Sequence, residues 1–463
     1  MTVSAHRVFP LILLLSACAP PATGDLPVES FDFEVKVVID DIEPTVIVVS
    51  WETDEPGPSW VEFGLDLDRD QSTFVEDEGS RLHVFRLVGL PAETEVFFRA
   101  VTEVDGVERS TTASAWTEAF PEELPTFKIE GIDPSSIAPH DYVAGSVFTS
   151  VTGVFVADRA GRLLWFGQED NDTNIPKLEF RNGTNEILAL ATPIRFGTRD
   201  AEIHRISIAD GTRESIRLIG GAHHAFTQLP DGSIAYIHAD IREWVDPTDQ
   251  TILVAGDAIA IRTPDGETSE LFSIWDWSEP AMNPWWHDAY YPNAANWTHA
   301  NALDYDANTD TLLLSLRNTR MVVEVDVRSG HPVRWFGQRE GYGFAAGSRP
   351  FYFQHDVKWS PSGTLLASNT HDHETVGIEY EVDEDARLLR EVWSYGDDMG
   401  IQAVFHGGIE ALDNGNRLVN WGSTPKAKEA TPDGRTVWAF TVAHENPFGL
   451  IALQPMTGFY DLQ

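Results

Sequence analysis

At 463 residues, 42% of them hydrophobic, the chain has material for more than one core, although an all-β ring can absorb several hundred residues as one unit. Its 73 Asp and Glu against 32 Lys and Arg give a formal charge of −41, which excludes a phosphate-binding face for nucleic acid or anionic lipid, because both need clustered cations. The single cysteine excludes an intrachain disulfide, and the acidity itself reads as a solvated surface.

The N-terminus carries Arg7, an apolar run through Leu15, and then Leu15-Ser-Ala-Cys18. That run is shorter than the roughly 20 residues a membrane-spanning helix needs. The pattern resembles a bacterial lipoprotein signal. The resemblance implies loss of residues 1–17 and membrane attachment through a lipid on Cys18. With Ala19 following rather than Asp, it implies the outer membrane of the cell envelope, facing the periplasm or the cell surface. Residues 18–30 are rich in turn formers and are expected to be a tether.

Residues 31–117 change to short alternating apolar runs, among them Val46-Ile-Val-Val-Ser-Trp51, Ser59-Trp-Val-Glu-Phe-Gly64 and Val96-Phe-Phe-Arg-Ala-Val101. Such spacing predicts a β-sandwich. The Val49-Ser-Trp51 strand and the Gly89-Leu-Pro-Ala-Glu-Thr94 corner resemble a fibronectin type III module, with Val96 where that family often places a corner tyrosine. Phe97 and Phe98 are available to fill the core. Residues 118–140 form a Pro- and Glu-rich linker.

Internal repeats occupy residues 141–463. His224 precedes Gly232 by eight positions and His355 precedes Gly363 by eight, while His299 and His406 stand at the same place in similar phrases. A second phrase, a turn followed by an aromatic strand, recurs from Asp158, Asp326, Asp383 and Asp433. Alternation of these phrases predicts an all-β ring, a β-propeller of about six blades at somewhat over 50 residues each. A histidine held at one place in each blade becomes a ring of histidines about the axis. One insertion, Leu271 to His299, concentrates Trp275, Trp277, Trp285, Trp286, Tyr290, Tyr291 and Trp297. These rings either wall a pocket for a flat ligand or pack the insertion onto the propeller.

The Thr298-His-Ala-Asn301 motif, Arg317 eighteen positions after His299, and the Gln354-His355 phrase together resemble the bacterial aryl-sulfate sulfotransferases. The resemblance covers roughly residues 140–463. It implies a six-bladed propeller that moves a sulfuryl group from a phenolic sulfate ester to a phenol through a sulfated histidine, with no nucleotide donor. No cofactor is expected, and the lack of a tight His-x-His or His-x₃-His pair at the ring argues against a metal there. On that resemblance His355 is the nucleophile, and His299, Asn301 and Arg317 hold the sulfuryl oxygens. A further catalytic histidine falls in the His223-His224 doublet, with His224 favoured by its spacing. His406, His223 and Trp297 are expected to contact substrate.

The chemistry suits these residue types. Sulfuryl transfer asks the protein for an in-line nucleophile and balanced charge on equatorial oxygens, and a neutral imidazole is a competent nucleophile near pH 7. Arg317 would supply donors to those oxygens and lower neighbouring histidine pKa values, while a protonated histidine would serve the leaving phenolate. Two other outcomes stay open in the sequence: a propeller scaffold that binds without catalysis, and a hydrolase using water as acceptor. His371-Asp372-His373 reads as a polar loop end, and Asp304 to Asp310 as a blade hairpin rather than a calcium loop. The oligomeric state is open.

Overall fold

A computed structural model describes residues 33–460, apart from 77–78, 182–185, 198, 338–340, 372 and 444–448. The expected signal, the Cys18 lipidation site and the tether lie outside these residues. The chain divides into two units, one running to Glu122 and the other from Glu123 onward, with a short excursion at Ile208–Gly211 assigned to the first.

The first unit has two antiparallel sheets. Val35–Ile39, Ile47–Glu52 and Leu82–Leu87 form one, and Gln71–Ser72, Ser59–Gly64, Glu95–Val104 and Val107–Trp116 the other. Alternation puts Ile47, Val49 and Trp51 on one face of their strand, all buried. Trp51 stacks on Phe33 and Phe85, and its Nε1–H donates to Thr102 Oγ1 at 2.8 Å, so its one polar atom is satisfied inside the core. Val96 and Phe98 are fully buried, whereas Phe97 points to the other face. The sandwich core therefore closes without the corner tyrosine.

The second unit contains six sheets of four or five strands, antiparallel except for two short parallel additions, Ala295–Asn296 and Gly343–Phe344. In five of them the four inner strands run in chain order from the innermost outward. The phrases that end in aromatic strands supply outer strands such as Leu163–Glu169, Pro332–Gly337, Leu388–Tyr395 and Thr436–Ala443. The innermost strands are Thr173–Arg181, Ala222–Gln228, Ala300–Asp306, His355–Trp359, Gly408–Ala411 and Leu450–Met456. Each contacts the next, and the last contacts the first, which closes a ring. This is a β-propeller arrangement.

Two joints close the ring. The C-terminal strand Leu450–Met456 pairs with Tyr142–Phe148 and becomes the inner strand of the first sheet. Thr126–Glu130, inside the stretch expected to be a linker, pairs with Thr436–Ala443 and forms the outer edge of the last sheet. That pairing satisfies backbone groups that Thr436–Ala443 would otherwise leave open. Phe155 of the first sheet meets Phe127 and Phe440 of the last, with centroids 4.7 and 6.0 Å away, and is fully buried.

The joint between the first and last sheets thus depends on this aromatic cluster. Phe155→Ala should destabilise the second unit by about 3–5 kcal/mol, the cost of a buried phenyl and its cavity. The check is the denaturant midpoint of the transition that removes propeller tryptophan fluorescence.

Candidate active site

The inner strands bring the predicted histidines together by a shared backbone device. His224, His299 and His406 have φ of 58°, 50° and 62°, the left-handed region that residues with a Cβ seldom adopt. At His355 the same step falls on its neighbours, Phe353 at 56° and Asp356 at 49°. Pairing registers slip between Ala222 and Phe226, between Ala300 and Ala302, and between His355 and Lys358. These bulges re-aim the side chain that precedes each regular strand.

His224, Asn301, His355 and His406 line an axial cavity of ≈ 60 Å³. The rings of His224 and His299 lie 4.8 Å apart. Arg317 comes from the single turn Arg317–Thr319 between two strands, where its N–H donates to the His299 carbonyl. Its guanidinium stacks 4.3 Å over Phe353, whose ring is 5.5 Å from that of His355. Asp288 stands off at 3.6 Å and Asn318 Oδ1 accepts from Nε, so the cation is buried with only a loose carboxylate partner.

Hydrogen bonds assign the tautomers. His355 Nδ1 lies 3.0 Å from the Phe353 carbonyl, which only accepts. Nδ1 therefore carries the proton and Nε2 keeps its lone pair. His299 is the reverse case. Its Nδ1 lies 2.7 Å from Asn296 Nδ2, an amide that only donates, and Asp288 anchors that amide at 2.8 and 2.9 Å. The neutral His299 ring thus presents Nε2–H as a donor. Asn301 Nδ2 donates to the Gln354 carbonyl at 2.7 Å, which ties down the residue before His355.

The doublet separates cleanly. His224 faces the cavity, whereas His223 turns back, with Nε2 3.0 Å from Asp257 Oδ1 and Nδ1 2.7 Å from His224 Nδ1. Asp257 also accepts from Tyr291 Oη–H, from Thr298 Oγ1–H and from the Ala300 N–H. Burial alone would raise the Asp257 carboxyl, but these bonds, led by His223, hold it below the usual range. The result is a chain from a buried carboxylate through one imidazole to a second. Tyr290 Oη also reaches His224 Nδ1, at 3.2 Å.

Burial, followed by the Arg317 cation, pushes His355 down to about 3. Burial brings His406 to about 4 and, with neighbouring charges, takes His224 and His299 well below 6.5. Burial also brings Arg317 to about 10, which leaves it charged at pH 7. These four rings therefore favour the neutral form until an anion arrives, and the protonated histidine expected from the sequence is not among them without one. A monoanion among the rings supplies the opposite charge that raises them.

Trp297, expected beside substrate, is 2% exposed and packs on Trp275 within the hydrophobic core. Trp286 joins the same core, while Trp285, Tyr290 and Tyr291 reach the site, so the aromatic insertion does both things the sequence allowed. Asp257, Asp288 and Asn296 escaped sequence reasoning. Asp257 had a signal, a lone carboxylate inside the apolar strand Ile252-Leu-Val-Ala-Gly-Asp-Ala-Ile-Ala-Ile261.

A β-propeller with imidazoles around one buried guanidinium at its axis is the class of protein that fold and cluster define. A family model described as arylsulfotransferase (ASST) matches residues 142–444, and the chain belongs to that family. Membership makes it, in general terms, a sulfotransferase of phenolic compounds. No curated protein matches the chain in sequence. Among solved structures, it is similar to a protein of unknown function from Bacteroides caccae, at 12% identity and TM-score 0.44 over 69% of this chain and 100% of that one. A streptogramin B lyase matches at 14% identity and TM-score 0.37, over 70% of this chain and 91% of that one. Neither likeness bears on what this chain does.

Two outcomes follow from the geometry. Asp257→Asn keeps the shape but lets the His223 ring turn its tautomer, so kcat should fall by about 10²-fold or more with KM little changed. Steady-state kinetics of the variant decide this. The pH profile of kcat/KM should lack an acid limb near 6.5. Protonation of His355 silences its lone pair only as pH falls through about 3, so the nucleophile should cause no loss of rate as pH falls from about 8 to about 5.

Proposed function

We propose that this protein transfers a sulfuryl group from a phenolic sulfate ester to a phenol in two displacements, without a nucleotide donor. The observation that carries the reading is the opposite tautomer of the two histidines: a bare Nε2 on His355 and an Nε2–H on His299, beside the Arg317 cation. Each of the six sheets of the second unit counts as one blade.

In the first displacement the His355 Nε2 lone pair attacks sulfur, the sulfur–oxygen bond to the aryl group breaks, and the phenolate leaves with that electron pair. Arg317 and the His299 Nε2–H hold the equatorial oxygens. His224, which takes up a proton as the sulfate anion enters beside it, gives that proton to the leaving oxygen, with His223 and Asp257 behind it. In the second displacement the acceptor phenol gives its proton to His224, its oxygen attacks the sulfur of sulfohistidine, and the nitrogen–sulfur bond breaks to return the pair to Nε2. Asn301 acts through Gln354 as a positioning residue, and His406 lines the nucleophile's cavity. We further propose attachment to the cell envelope through a lipid on Cys18, on the strength of the sequence around it.

The test uses a soluble form beginning after Cys18, given para-nitrophenyl sulfate with and without phenol. Nitrophenol release should depend on phenol and fall by at least about 10³-fold in His355→Ala. Mass spectrometry of protein quenched without acceptor should find the sulfuryl group on the peptide containing His355. Release indifferent to phenol would replace transfer by hydrolysis, and no release from any aryl sulfate would leave a binding scaffold.

A further inference from the structure

Beside the axial cavity lies a second and larger one, of ≈ 640 Å³, lined by Trp285, Arg320, Tyr352, Phe353, Gln402 and Val404 among others. Residues of the second touch the histidine cluster. Phe353 carries the Arg317 guanidinium and touches the His355 ring, and Trp285 packs against both Phe353 and Tyr352 with centroids 5.4 and 6.1 Å away. The mouth is apolar, with Tyr352 38%, Val404 58% and neighbouring Phe405 47% exposed. The axial cavity of ≈ 60 Å³ leaves little room for an aromatic body, whereas the adjoining cleft has room for one.

Arg320 gives this cleft a charge. It follows Arg317 by three positions at the end of the same turn, with φ 55° and its N–H donating to the Arg317 carbonyl. Its guanidinium lies 4.5 Å over the Tyr352 ring. Among the described residues no carboxylate pairs with it. Carboxylates outnumber cations more than twofold in this chain, and Arg334, Arg349 and Arg417 each hold a glutamate. A half-buried arginine in an aromatic cleft, left without an acid in so acidic a protein, has fixed donors to offer a ligand.

We infer that this cleft takes the ring of an aryl substrate bearing a second anionic group, such as a carboxylate, which pairs with Arg320 while the sulfuryl end lies at Arg317. The orientation of that substrate rests on the sulfuryl-transfer reading, but its binding does not. Contact with the Trp285 and Tyr352 rings that line the cleft supplies affinity for the ring, and Arg320 selects its substituent.

Calorimetry with para-hydroxyphenylpropionate and its primary amide separates the two contributions. The acid should bind about five- to tenfold more tightly than the amide at low salt, with the gap narrowing as salt rises. Arg320→Gln should erase the gap and Arg320→Lys retain much of it. Val404→Glu, at an exposed position that leaves the core intact, should weaken the acid and spare the amide. Equal binding of acid and amide, absence of binding by the acid, or a gap that survives Arg320→Gln would overturn the inference. Failure of para-nitrophenyl sulfate to sulfate phenol would sink the catalytic reading alone, since the affinity comparison needs no turnover.

Discussion

The axial site depends on a left-handed backbone step at the head of the inner strands. For a residue with a Cβ this conformation costs about 1–2 kcal/mol, and His224, His299 and His406 all adopt it. Regular extension would send alternate side chains into the neighbouring sheets, where Ala225, Ala300 and Leu303 pack. The step, with its bulge, breaks that alternation once and swings the imidazole out of the interface toward the axis. Strain of this size persists because the surrounding sheets bury whole strands on both faces, as in Thr311–Leu316, where every residue is buried. The ring of sheets is thus the source of stability, and the strand heads are where some of it is given up.

Placement alone would leave four equivalent imidazoles. Their differences come from the groups behind them: a carbonyl for His355, an anchored amide for His299, and a second histidine on a carboxylate for His224. Each such partner fixes which nitrogen bears the proton, and hence whether a ring offers a lone pair or a donor. Asp288 serves two of these roles, since it anchors Asn296 and stands near Arg317. Removing it would loosen a tautomer and a cation together. The aromatic insertion that delivers Asp288 and Asn296 is consequently part of the site's chemistry, although most of its bulk is packing.

Much of the fold was legible in the sequence because repetition is visible in one dimension. The eight-position spacing after His224 and His355 and the recurring aromatic strands gave the ring, and alternation around Trp51 gave the sandwich. What stayed hidden was contact between segments far apart in the chain. Thr126–Glu130 looks like linker because its partner strand lies some 300 residues later. Trp297 looks like a ligand wall because composition cannot say which way a ring faces, and the strand pairing turns it into the core. The tautomers were equally out of reach, since each is set by a carbonyl or amide whose position follows only from the turn. His223 and His224 are neighbours in sequence, yet opposite sides of the backbone give one to Asp257 and the other to the axis.

Charge balance joins the acidic surface to the neutral site. A sulfate monoester carries one negative charge, where a phosphate monoester carries nearly two, so one guanidinium suffices to neutralise it in a dry setting. Lys177, which also lines the cavity, faces Asp356 at 3.7 Å. A second cation without a carboxylate would hold substrate, intermediate and product alike, adding uniform binding without speeding the transfer. Neutral imidazoles avoid that by taking on charge only when an anion arrives to favour it. The same argument gives the neighbouring cleft its meaning. Arg320 stands outside the histidine cluster, across Phe353 and Trp285, where it can discriminate between phenols by a distant substituent. Any binding energy gained there is remote from the reacting sulfur, and such energy raises the rate of transfer only by fixing the ring in line with His355.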